Sequence, residues 1–173
     1  MKIIFGTFES LYGGVSFFKA EDKKFIDAVV ETLQVQVDEN KQVSVSALAR
    51  KYYEFNDFRK NFTQYFSTVF ENYLVNEFFL NLYPWRFKGS IIYNYGVFLT
   101  IYKILELITM SLAISNFKKD RTKTPPLDKI NMVAAVMMFV NNIDHNDSYV
   151  GKISDYLKGK ENIVEIVQDL LQI

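Results

Sequence analysis

Apolar residues recur along most of this chain at spacings of three and four, the pattern of helices that bury one side. The first run is Glu21–Leu33, where Phe25, Ala28, Val29 and Leu33 form a stripe and acids stand in the opening turn. A helix dipole favours negative charge there. Ser44 or Ser46 can cap a short second helix over Ala47–Tyr53. From Phe58 to Tyr83 the pattern predicts one long helix. Phe62, Phe66, Phe70, Leu74 and Phe78 recur every four residues, with Tyr65, Val69, Asn72, Asn76 and Phe79 as an adjacent stripe. A helix apolar on two sides is expected at the centre of a fold. Pro84 lacks an amide hydrogen and restricts Tyr83, so the helix stops there.

Ser90 is the predicted cap of the next helix, Ile91–Asn116. Thr124-Pro125-Pro126 opens a further one that runs to Ile143, since proline is tolerated in a first turn. Its expected inward face is Ile130, Val133, Ala134, Met137, Val140 and Asn141. Asp147 caps a helix carrying Tyr149, Val150, Ile153 and Leu157, which Gly159 ends. A last helix, Ile163–Ile173, carries Ile163, Ile166, Val167, Leu170 and Leu171. Residues 1–20 have no helical period. Lys2–Phe8 reads as a short strand or extended arm, followed by a turn at Gly13-Gly14. The expectation is an all-α protein: a single helical domain, residues 21–173, of five to seven helices around the aromatic Phe58–Tyr83 helix, with residues 1–20 as an N-terminal arm.

Composition narrows the chemistry. The chain of 173 residues has no cysteine and one histidine, His145. Disulfides, thiolate metal sites and cysteine nucleophiles are thereby excluded, and no metal site is expected. Twenty basic side chains balance twenty acidic ones, and the two signs also balance locally. No basic face for nucleic acid emerges, and the short cluster Lys118, Lys119, Arg121, Lys123 reads as a solvated connection. Residues 61–116 hold only Glu71, Glu77, Arg86, Lys88, Lys103 and Glu106 as charges, so this third must be mostly buried. Lys103 and Glu106 sit three apart inside the apolar run 91–114. They can pair on one face, and they argue for a core helix rather than a membrane span. The reading is a cytoplasmic protein without membrane insertion.

Four polar residues stand out. Asn72 and Asn76 lie one turn apart among aromatics. Buried amides need partners, so they read either as an interhelical hydrogen-bond clamp or as contacts to a ligand or substrate. His145, beside Asp144, closes the stripe of the preceding helix. It is either a general base or a histidine at a helix C-terminus bonded to a carbonyl. Glu71 and Glu77 are six apart, on different sides of the helix, and form no acid/base pair. The seven glycines are scattered, with no phosphate-cradling loop and no dinucleotide fingerprint.

Phe70-Glu71-Asn72-Tyr73-Leu74-Val75, followed by an aromatic run, a long apolar helix and then Asp144-His145, resembles the C-terminal half of the flagellin lysine-N-methylase family over about residues 60–158. That resemblance implies lysine N-methyl transfer with S-adenosylmethionine for the full-length enzyme. It also implies a metal-associated cysteine cluster toward the N-terminus, which this chain does not contain. The expectation is a helical part, inactive alone and without its own cofactor, that supports substrate binding or a catalytic half. The alternative is a stand-alone interaction or homodimerisation module. The partners expected are accordingly a protein substrate, the catalytic half or a second copy.

Overall fold

The computed structural model describes residues 23–33, 56–60, 63–80, 85–120, 122, 127–144 and 147–172. The 1–20 arm and the Ala47–Tyr53 helix expected from sequence lie outside them. All regular structure among the described residues is helical, so the all-α expectation holds. We number the helices α1 (Lys23–Leu33), α2 (Ser67–Leu80), α3 (Ile91–Lys119), α4 (Lys129–Phe139), α5 (Asp147–Lys158) and α6 (Ile163–Gln172). A 3-10 turn, Thr63–Tyr65, precedes α2, and a π turn, Val140–Asp144, extends α4.

The axis of the molecule is α3. Its 29 residues carry α1, α4, α5 and α6 around them. Val97, Ile101, Ile104, Leu105, Ile108 and Met110 are almost completely enclosed. The helix is long and apolar enough to cross a membrane by composition, yet 89% of its most apolar window is buried inside the molecule. Ser90 caps it as predicted, its Oγ accepting from the Tyr93 amide at 3.2 Å. Small hydroxyl residues fit the crowded interior because they bond back to their own helix. Thr100 donates to the Gly96 carbonyl and Thr109 to the Leu105 carbonyl, each at 2.8 Å. Thr32 ties α1 to α3 through the Ser111 carbonyl, and the Tyr93 hydroxyl ties α3 to α5 through Ser154.

The Phe58–Tyr83 helix is not continuous. The 3-10 turn at Thr63–Tyr65 and a turn at Phe66 interrupt it before α2 begins. Nor is it central. One side of α2 enters the core, with Phe70 against Tyr102 (ring centroids 5.9 Å apart) and Tyr73 against Phe139 (6.0 Å). Its other side faces solvent. Aromatic density marks the right neighbourhood but the wrong helix, because side-chain size does not decide which helix is enclosed on all sides.

The inward face of α4 also differs from expectation. Met132, Ala135, Met138 and Phe139 are buried, whereas Ile130 is 83% exposed and Val133, Met137 and Asn141 are exposed as well. Apolar residues surround this helix, so periodicity cannot select a side. Packing selects the side that places Phe139 edge-on to Tyr73. By contrast, α5 is amphipathic and buries Tyr149, Val150, Ile153 and Leu157 as expected.

Close approach of α6 to α3 depends on Gly96. A Cβ there would lie 3.1 Å from Cδ1 of Ile163 and 3.3 Å from Cγ2 of Val167. Gly96→Leu therefore forces α6 outward and should lower stability by about 1–3 kcal/mol in urea unfolding. Gly96→Ala should be nearly neutral, because better helix propensity offsets the tighter contact. Equal stability for Gly96→Leu and wild type would show that the α3–α6 packing does not need this gap.

Candidate functional site

Of the four polar residues picked out in the sequence, the three described ones fall into two different environments. Asn72 and Asn76 are exposed on the outer side of α2. They are not the buried clamp expected of them. The inner positions of this helix are taken by Phe70, Tyr73 and Glu77. His145 lies outside the described residues. Asp144 is fully buried, at 0% exposure, as the last residue of the π turn.

An amide clamp does exist, on α3. Asn94 accepts from the Phe87 amide at 2.8 Å and donates to the carbonyls of Phe87 and Ser90, both at 3.1 Å. It thereby fixes the segment between α2 and α3, which turns at Gly89 with φ +150°, a conformation side-chain-bearing residues avoid. Fixing Phe87 places Arg86. The Arg86 Nη1 stands 3.6 Å from Oδ1 of Asp144, and its Nη2 donates to the Asp144 carbonyl at 3.3 Å. Neither carboxylate oxygen of Asp144 accepts a hydrogen bond among the described residues. A buried carboxylate held by charge, at a π turn, is an arrangement common at functional positions. The sequence contains a usable signal for Arg86: a cation in a largely uncharged stretch needs an acid, and Asp144 is 58 residues away along the chain.

A second buried charge group crosses the middle of α3. The Lys103–Glu106 pair forms at 3.0 Å. Arg59 joins it, with Nη1 at 3.1 and 3.3 Å from the two Glu106 oxygens. Sequence spacing predicts the pair but not Arg59, which arrives from another element. Beside it, burial pushes the Tyr102 phenol up to about 12; the Glu106 charge adds to this and Arg59 opposes it. Tyr149 is likewise raised to about 12 by burial. Both networks read as charge-neutralising devices within a packed interior.

Two of the described glycines, Gly96 and Gly89, leave no room for a cofactor such as the S-adenosylmethionine that the resemblance implies. The space at Gly96 is taken by Ile163 and Val167, and that at Gly89 by the Tyr93 ring. Neither glycine brings backbone up to a ligand. No cluster of three metal-binding side chains occurs among the described residues either.

Fold and charge networks together define a class: an all-α helical domain with an apolar central helix and a buried arginine–carboxylate tie, carrying exposed apolar faces on α2 and α4. The family model of the FliB lysine N-methylase C-terminal domain matches residues 1–169, and the chain belongs to that family. The match extends well beyond the stretch that carries the sequence resemblance. No curated protein and no solved structure shows significant similarity to the chain.

Proposed function

We propose that this chain acts as a non-catalytic helical part of a lysine N-methylase, cytoplasmic, holding the catalytic part or the lysine-bearing substrate while methyl transfer takes place elsewhere. Flagellin is the substrate class the resemblance suggests. One observation beside the family match carries this reading. Ile130, Val133 and Met137 form an uncovered apolar stripe on α4 at spacings of three and four. Such a stripe is the kind of face that docks another polypeptide.

The experiment has two arms. In the first, the chain alone is incubated with flagellin and labelled S-adenosylmethionine, and titrated calorimetrically with the cofactor. The expected result is no label on lysine and no heat at concentrations where a micromolar site registers. In the second, the cysteine-bearing part of a family member is titrated with the chain. Binding is expected, and Ile130→Glu or Met137→Lys should weaken it at least tenfold, about 1.4 kcal/mol. Methyl transfer by the chain alone would sink the non-catalytic assignment, and unaltered binding by both variants would remove α4 as the contact.

A further inference from the structure

The outer side of α2 is built like the interior of a protein. Thr68, Asn72, Val75, Asn76, Phe79 and Leu80 form one continuous helical face, all of them exposed and none of them charged. Phe79 is 79% exposed and Leu80 75%, and Trp85, just beyond the helix, is 74% exposed. The opposite side of α2 is already packed into the core through Phe70 and Tyr73. A helix apolar on both sides belongs between two layers of protein, and the described residues of this chain supply one of them.

We infer that the second layer is another copy of this chain, related by a two-fold axis across α2. Three features favour that occupant. First, an isologous contact needs a self-complementary patch. This one presents apolar side chains to apolar side chains. Its carboxamides, Asn72 and Asn76, each carry both donors and an acceptor, so amide can meet amide. Second, the one exposed charge of α2 is Glu71, at the N-terminal border of the face and two turns from Phe79, so the C-terminal halves of two copies meet without like-charge repulsion. Third, the size fits. Phe79, at 79% exposure, offers roughly 150 Å² of apolar surface. Val75 and Leu80 bring the apolar area to on the order of 350 Å², beyond a scatter of single exposed residues. With Thr68, Asn72 and Asn76 it comes to roughly 600 Å², the share of each partner in a small specific interface.

The ring contacts place this face at the molecular edge. Phe70 meets Tyr102 and Phe78 meets Phe98 at 5.0 Å, so α2 runs antiparallel to α3 with its C-terminal end over the first turns of that helix. Phe79 and Leu80 sit at that end, pointing away from α3. The inference does not depend on the methylase reading, which concerns the stripe on α4.

Sedimentation equilibrium of the chain tests it. The expected result is a mass that rises with concentration from 20.3 kDa toward twice that value, with a dissociation constant in the micromolar range or tighter. Phe79→Glu and, separately, Val75→Lys should hold the mass at the monomer value while leaving the circular dichroism unchanged, because both side chains point out of the fold. The absence of native cysteine gives a second readout. Asn76→Cys should form an intermolecular disulfide under mild oxidation, while Lys152→Cys, exposed on α5, should not. A wild-type chain that stays monomeric overturns the inference. So does a dimer that survives both α2 substitutions, or one dissolved by Ile130→Glu on α4 instead.

Discussion

Glu106→Leu should lower folding stability by about 3–5 kcal/mol, the cost of removing one partner from a buried ion pair. The carboxylate of Glu106 is the common acceptor for Lys103 and Arg59, at 3.0 and 3.1 Å. Arg59 is partly exposed and can swing toward water. Lys103 is buried in the middle of α3, where Glu106 is its acidic partner among the described residues, and cannot. The loss therefore comes mainly from a lysine left uncompensated in an apolar interior. Lys103→Met combined with Glu106→Leu should recover most of it, because an apolar pair of similar volume replaces a charged pair at little cost. Equal destabilisation in the single and double variants would show that lost packing, not lost charge, is responsible.

The same network has a pH signature. Tyr102 and Tyr149 titrate at about 12 in the folded protein against about 10 when unfolded. The folded chain therefore keeps protons that the unfolded chain gives up. The stabilisation this represents is complete below pH 10 and is lost as the pH rises toward 12. Glu106→Leu removes a negative charge beside Tyr102, so ultraviolet titration of the variant should show Tyr102 ionising at lower pH, with Tyr149 unmoved.

Arg86→Met is expected to cost about 3–5 kcal/mol for the same reason, but with a more local consequence. Asp144 is wholly buried, and the Arg86 guanidinium faces both its carboxylate and its carbonyl. Without that cation the π turn would enclose an uncompensated negative charge. The turn between α4 and α5 should then open before the rest of the molecule does. Hydrogen exchange should show the loss of protection concentrated in residues 140–150, with α3 protected until global unfolding. The combination Arg86→Met with Asp144→Asn should regain a substantial part of the stability. Uniform loss of protection across α3 would show that this pair supports the whole core rather than one turn. Because Asp144 belongs to the acid–histidine motif that carries the family resemblance, the outcome also separates two roles for that motif, a brace for the helix junction or a place where substrate is met.

Several of these elements are legible in the amino-acid sequence. Ser90 caps α3 through the Tyr93 amide, and Asp128, an acid just ahead of an apolar run, caps α4 by accepting from the Asn131 amide at 2.8 Å. Both are contacts within four residues, which sequence specifies directly. The inward stripe of α5 is readable because the rest of that helix is polar. Asn72 and Asn76 are misplaced by sequence reasoning because their neighbours are apolar on every side of α2. Aromatic neighbours then give no direction to burial. The amide clamp at Asn94 escapes the side-chain pattern although the residue interrupts an apolar run. Its partners are backbone groups of Phe87 and Ser90, and nothing in such a pattern announces those.

Helix periods, caps, the all-α class and the family thus follow from the order of residues, because each depends on contacts a few residues apart or on a recognisable string. That α3 and not the aromatic helix is the axis emerges only in the packed fold. So do the sides of α2 and α4 that face solvent, and the roles of Arg59 and Arg86 in completing the buried charges of Glu106 and Asp144. The physical reason is the same in each case. A helix that is apolar all round can satisfy its local energetics in any rotation. The choice among rotations falls to long-range packing and charge pairing, between partners as distant along the chain as Arg86 and Asp144, 58 residues apart.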